Sequence, residues 1–464
     1  MNLRYLSVTD QARLVAGGEV SARELVQHSL EIIQRYNPDM KAFINVLVDE
    51  ALAQADDLDS ALARTGQVVG PLHGVPIAVK DEYAVRGVRT GYGTNCTRHP
   101  APDDCEVVRR LRAAGAIIIG ITAMPEFGQW PLTETATHGY TRNPWNREYS
   151  VAGSSGGTAA AVASGMVAAG LGGDGGGSIR LPSAWCGLFG LKPQRGRNSL
   201  APDTNLWHGL GVVGPLTRTV ADSALLNDIM ASHLPSDMYE AIPWPEPLTT
   251  AITRDPGPQR ILLAENPASG PKPDPLTRAA LHAMGQVLQS LGHHVDIGNL
   301  PKYAPGLAMI GQMAGGVSDE IKKLDMPERL EARTWHARRL YNILGKTAPG
   351  AERKGEALSR QFNTVFSQYD ILLTPTIPTP PIPVGRLNGV GILGAITASL
   401  PLTAYTAIWN VLGNPAAAVP AGFTPDGLPL SVQIVAAPHN EPLLIQVASQ
   451  IEKAQPWDNR HPLD

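Results

Sequence analysis

VPIAVK (Val75 to Lys80), DCEVVRRLRAA (Asp104 to Ala114) and AIIIG (Ala116 to Gly120) decide the fold class. The first and third are short, almost wholly apolar runs, which is how strands buried on both faces read. The second reads as a helix. Strand, helix and strand in that order predict parallel pairing, because a crossover helix packs back onto the sheet it spans. The pattern returns in RILLAE (Arg260 to Glu265), a helix over 274–291 and HHVDI (His293 to Ile297), and Asp370 to Thr374 reads as another buried strand. The expectation is an α/β fold with a central, mostly parallel mixed sheet covered by helices on both faces.

Around these units, Ser21 and Glu24 form a capping box, and Ala22, Leu25, Val26, Ser29, Ile33 and Tyr36 share one face of a helix expected to end before Pro38. A further helix is expected from Thr219 through Met230. Proline-rich stretches at 243–258 and 375–383 read as extended connections. Between them, residues 300–365 carry amphipathic segments such as ERLEARTWHARRL and are expected to form a helical insert near the substrate entrance. No internal repeat of fixed period is present. The 464 residues are read as a single unit, 1–464, with a catalytic core at 80–193.

Hydrophobic residues make up 43% of the chain and charged residues 17%, so the chain is globular rather than disordered. The formal net charge is -4, and no basic block could neutralise a phosphate backbone, which argues against nucleic acid as a ligand. Cys96, Cys105 and Cys186 form no CxxC pair, and MNLRYLSVTDQAR has no apolar signal region, so a cytoplasmic location is expected. The uncharged run from Tyr149 to Gly173 is long enough to span a membrane, but Gly, Ala and Ser dominate it; no membrane insertion is expected.

Two glycine–serine clusters carry the chemistry: Gly153-Ser-Ser-Gly-Gly157 and Gly172-Gly-Asp-Gly-Gly-Gly-Ser-Ile-Arg180. A single such cluster reads as a flexible loop beside an Ala-rich helix. In the second, Gly175 to Gly177 let the backbone turn N–H groups toward one point ahead of Ser178, as an oxyanion hole requires. Ser178 then reads as a nucleophile that needs a base. His73 and His138 read as structural, and no HExxH signature occurs. Lys80 ends an apolar strand, where desolvation favours the neutral amine; taken alone it also reads as a surface lysine past a strand end.

With GPLHGVPIAVKD (Gly70 to Asp81), AGSSGG (Ala152 to Gly157), DGGGSIRLPSAWCGLFGLKP (Asp174 to Pro193), GPLTRTVAD (Gly214 to Asp222) and GNPAAAVPAGF (Gly413 to Phe423), the sequence resembles amidase signature hydrolases over nearly its whole length. The resemblance implies a Ser–Ser–Lys triad: Lys80 as base, Ser154 as bridging serine after a cis peptide bond, and Ser178 as the acylated serine. It also implies an oxyanion hole from the backbone N–H groups of Gly175, Gly176, Gly177 and Ser178, with Asp174 and Arg180 in support. No metal or organic cofactor is needed. This chain departs from the family in having Gly175 where Thr or Ile is common, which is expected to loosen one wall and widen access, and Ala152 where Gly is frequent.

Expected substrates are amides, including anilides and carbamates (urethanes), with ester side activity, cleaved by a monomer or homodimer. Phe127 and Trp130 are candidate substrate-binding residues, and Trp335, Tyr341 and Trp409 candidate pocket aromatics. Each is also an ordinary core residue by type. Residues 153–157 fit G-x-S-x-G around Ser155, but no strand precedes them, as that elbow requires, and a P-loop motif is absent. The alternative function is the amidase-like subunit of a tRNA-dependent amidotransferase.

Overall fold

Side-chain alternation along the central strands divides the core into two layers. Ala78, Ile117 and Ile119 pack with Leu25, Val26 and Ile33 and with Ala159 to Val162. Ile77, Val79, Ile118 and Ile121 face the other way, against Val107, Val108, Leu111, Leu226 and Met230. Neighbouring strand residues point to opposite faces, so a run apolar at every position needs a helix on each side. Each large apolar side chain so buried contributes about 1.5–3 kcal/mol.

The computed structural model describes residues 3–267, 270–301 and 306–463. Its strands are β1 (Phe43–Val46), β2 (Pro76–Lys80), β3 (Ile117–Thr122), β4 (Glu134–Thr135), β5 (Gly139–Tyr140), β6 (Ala169–Asp174), β7 (Phe189–Lys192), β8 (Val212–Thr217), β9 (Arg260–Ala264), β10 (His294–Gly298), β11 (Ile371–Pro375), β12 (Ala416–Phe423) and β13 (Pro429–Ala436). β4 and β5 form a small hairpin. The others make one 11-stranded sheet in the order β1-β3-β2-β6-β8-β7-β12-β13-β11-β9-β10.

This is the α/β mixed sheet expected. Parallel pairing lies in two blocks, β3-β2-β6 and β11-β9-β10, which contain the strand–helix–strand units read from the sequence. The strands between them, and the β1 edge, pair antiparallel. Parallel character is therefore concentrated in these blocks rather than spread evenly across the sheet. Because β2 and β6 are parallel neighbours, their last residues, Lys80 and Asp174, emerge on the same edge of the sheet.

The run from Tyr149 to Gly173 folds as a helix, Gly156–Ala163, followed by β6. Its small residues are a packing requirement. A Cβ on Gly157 would lie 2.4 Å from Ala123 N and 2.5 Å from the Ala42 carbonyl oxygen, and one on Gly170 would lie 2.5 Å from Thr158 Cγ2. Glycine at these points lets the helix lie directly on the sheet. Among the described residues, no helix is long and apolar enough to cross a membrane.

One helix boundary differs from expectation: the helix capped by Ser21 runs through Pro38 to Met40. Pro38 falls in the last turn, where its missing N–H removes one hydrogen bond without breaking the turns before it. Helices Gly306–Lys322, Ala332–Gly345 and Ala348–Phe362 occupy the expected insert at 300–365, of which residues 302–305 lie outside the described residues.

Candidate active site

Lys80 is 1% exposed, and its Nζ donates a hydrogen bond to Ser154 Oγ at 2.8 Å. The Gly153–Ser154 peptide bond is cis, as the resemblance implies. A second contact was not anticipated: Glu82 Oε2 lies 2.8 Å from Lys80 Nζ, with the Glu82 side chain 9% exposed. The expected apolar surroundings of the lysine are thereby corrected. The chain turns as it leaves β2, the Glu82 N–H donating to the Lys80 carbonyl at 2.7 Å, and this carries a carboxylate back to the amine. Asp81 serves another purpose. It accepts N–H bonds from Gly91 and Gly93 at 2.7 and 2.9 Å, and burial pushes its carboxyl up to about 7 against the pull of those donors.

Ser178 follows β6 and precedes the helix Arg180–Cys186. Its carbonyl accepts the Ser155 N–H at 3.1 Å, tying the two glycine–serine clusters together. Lys80, Ser154 and Ser178 line one small, narrow cavity, shared with Glu82, Gly128, Gly173, Asp174 and Gly175. Ser155 is a strut: its hydroxyl donates to the Gly173 carbonyl at 3.1 Å and accepts the Gly173 N–H at 3.2 Å.

The loop ahead of Ser178 is held by Asp174, which accepts the Gly177 N–H at 2.7 Å and the Ile179 N–H at 3.2 Å. This corrects the expected donor set, because the Gly177 N–H is taken up by a carboxylate. Gly175, Gly176 and Ser178 are left as candidate oxyanion donors. Gly177 has a φ of 129°, and a Cβ there would meet Thr406 Oγ1 at 2.4 Å, so only glycine fits. Thr406 Oγ1 donates to the Gly176 carbonyl at 2.7 Å.

Arg180 is fully buried and binds both carboxylate oxygens of Asp174 at 2.9 Å, the Thr406 carbonyl at 2.9 Å, and the side-chain oxygens of Gln433 and Asn410 at 2.7 Å each. Burial alone would raise the Asp174 carboxyl. The Arg180 guanidinium, aided by Lys192 and Asn410, outweighs it and holds Asp174 well below the usual carboxylate range.

The cavity wall is built from residues the sequence reading did not single out, Leu206 and Trp207. A Cβ on Gly175 would lie 2.9 Å from Trp207 Cε3, and one on Gly316 2.5 Å from Trp207 Cδ1. The indole therefore lies between the loop and the insert helix Gly306–Lys322. The expected widening at Gly175 is corrected, since Trp207 fills the space a larger residue would occupy. Phe127 and Trp130 do not line this cavity. Phe127 is buried in the same apolar cluster as Trp207, whereas Trp130 packs with Leu181 and Trp185 under the Arg333 guanidinium, 5.4 Å from its ring centroid. Trp335, Tyr341 and Trp409 are likewise off the wall: Tyr341 donates to Gln129 at 2.6 Å, and Trp409 packs edge-on to Phe362. His73 accepts the Val69 N–H at 3.1 Å, a structural contact. Among the described residues, no group of three or more His, Cys, Asp or Glu could hold a metal ion.

Residues 24–445 match the family model described as Amidase. The chain belongs to the Amidase family. Family chemistry is the hydrolysis of amide bonds, and the buried lysine–serine contact lies within the matched region. The chain is 40% identical over 470 residues to AmiB2 of Mycobacterium tuberculosis, covering 99% of this chain and 98% of that one. It is 34% identical over 484 residues to a Glutamyl-tRNA(Gln) amidotransferase subunit from a Synechococcus species, covering 97% of each. Among solved structures, 6-aminohexanoate cyclic dimer hydrolase in complex with substrate superposes with a TM-score of 0.93 at 31% identity, over 100% of both chains.

In this Amidase family chain the Asp174–Arg180 pair predicts a stability effect. Arg180→Met is expected to cost about 3–5 kcal/mol at pH 7, because it leaves Asp174 buried without its partner. Asp174 has a depressed folded-state pKa, so its contribution in the unaltered protein is fully present above the ordinary carboxylate value of 3.8 and is lost as pH falls below it. Denaturant melts of both proteins between pH 7 and pH 3 check the cost and its sign.

Proposed function

We propose that this chain is a free-standing amide hydrolase in which Ser178 is the nucleophile, Ser154 the proton relay and Lys80 the base. The observation that carries this reading is the 2.8 Å Lys80–Ser154 contact inside a cavity shared with Ser178. As Ser178 Oγ attacks the acyl carbon, its proton passes to Ser154 while that of Ser154 passes to Lys80. The proton returns by the same route to the leaving nitrogen, and water then releases the acyl group. The N–H groups of Gly175, Gly176 and Ser178 are the donors for the oxyanion, and Asp174 and Arg180 hold them in place.

The substrates are small amides, with anilides and carbamates included and esters as side substrates. The apolar wall of Leu206 and Trp207 supports an apolar group beside the scissile bond. Likeness to a hydrolase of a cyclic amide dimer supports cleavage of carbon–nitrogen bonds in substrates of that kind. Residues 300–365 act as a cap on the same catalytic unit, with Met309 reaching toward Gly176. The chain works as a monomer or homodimer without nucleic acid. The similarity to an amidotransferase subunit favours the second reading, a subunit that needs partners. Purified chain alone, assayed on aliphatic amides, anilides, carbamates and p-nitrophenyl esters, separates the two. Partner-free anilide hydrolysis is expected; activity appearing only after amidotransferase partners are added would support the second reading.

A further inference from the structure

The geometry points to Glu82 as the positioning residue of the relay, the carboxylate that receives the positive charge formed on Lys80 when Ser178 attacks. This inference rests on the Ser–Ser–Lys reading. Among the described residues Lys80 Nζ has two polar contacts: Ser154 Oγ at 2.8 Å, the partner in proton exchange, and Glu82 Oε2 at 2.8 Å. Both side chains are buried or nearly so and line the same cavity. A base buried beside a serine gains a full positive charge in the acylation step, and in a site this enclosed that charge needs a counter-charge already in place.

The surroundings single out Glu82 for this task. Asp174 lines the same cavity, but its carboxylate is saturated by Arg180 and by backbone N–H groups. Asp81 faces Gly91 and Gly93. Tyr83 is a buried phenol whose ionisation is pushed upward, first by burial and then by Glu82, and half-buried Tyr92 is pushed the same way, by burial and then by Glu320 and Asp203 ahead of Glu82. Glu320, on the insert helix, also feels Glu82 but is engaged by Lys323 at 2.9 Å. The proton balance is simple. The Ser178 O–H bond breaks as its bond to the acyl carbon forms, Lys80 holds one extra proton, and that proton leaves through Ser154 on the departing nitrogen. Glu82 remains a carboxylate throughout and holds Nζ toward Ser154.

The test is the pH–rate profile of Glu82→Gln, which keeps the shape and removes the charge. Its acid limb is expected about 1 pH unit or more below that of the wild type, since an opposite charge at this distance shifts a base by that order. Its plateau rate on an anilide is expected to fall roughly tenfold or more. Glu82→Asp, with the charge on a shorter arm, should place the limb between the two and recover part of the rate. A loss of rate in Glu82→Gln with the limb unmoved would mark Glu82 as merely structural and overturn the inference. If Glu82→Gln does not fold, Glu82→Asp decides alone: a limb displaced downward supports the inference and an unmoved limb overturns it. Lys80→Met is measured alongside. If that variant still hydrolyses amides, the relay reading itself fails; if it is inactive while Glu82→Gln keeps the wild-type limb, only the role of Glu82 fails.

Discussion

Ser178→Ala is expected to lose all measurable amide and anilide turnover, a fall of about 10⁴-fold or more, and to gain no mass on exposure to a fluorophosphonate. The expectation rests on which hydroxyls of the site are free to react. Ser155 is engaged at both ends by the backbone of Gly173, and Ser154 is held by Lys80. Ser178 stands on the glycine loop whose remaining N–H groups would meet the oxyanion. Because the side chain is small and 8% exposed, its removal leaves the fold intact, so the loss reports chemistry rather than unfolding. Intact-mass analysis checks it directly. An adduct on the alanine variant would move the nucleophile to another serine.

Lys80→Met is expected to be equally inactive, and also less stable at pH 7 by about 3 kcal/mol. The sequence alone suggests the opposite for stability: a buried, desolvated lysine should be a burden that methionine removes. The structure reverses the sign, because methionine would leave the Glu82 carboxylate buried without its partner at 2.8 Å. The double variant Lys80→Met with Glu82→Gln should recover most of the lost stability and none of the activity, since it removes both charges together. Denaturant melts of the single and double variants, alongside anilide turnover, check both halves. A methionine variant as stable as the wild type would mean that the Lys80–Glu82 contact contributes nothing to the fold.

What the sequence by itself determined is whatever depends on neighbours along the chain. Apolar runs at Val75 to Lys80 and Ala116 to Gly120 demanded strands covered on both faces, and the sheet has helices on each. The glycine–serine clusters placed Ser154 and Ser178, and the motif resemblance brought Lys80 to them; the three share one cavity. Glu82 had a usable signal, lying two residues after Lys80 where the chain turns, yet nothing local said that the turn would return its carboxylate to the amine. Other features were decided only by tertiary structure, because they join segments far apart in the chain. Trp207 fills the space beside Gly175 and Gly316, whereas Phe127 and Trp130 do not line the cavity. The antiparallel middle of the sheet arises where β7 and β8 pair between β6 and β12. The Gly177 N–H is lost to the oxyanion because Arg180, anchored by Thr406, Asn410 and Gln433, fixes the Asp174 carboxylate beneath the loop. Periodicity reports which face a residue must bury, but which side chain meets it there depends on how distant segments are brought together.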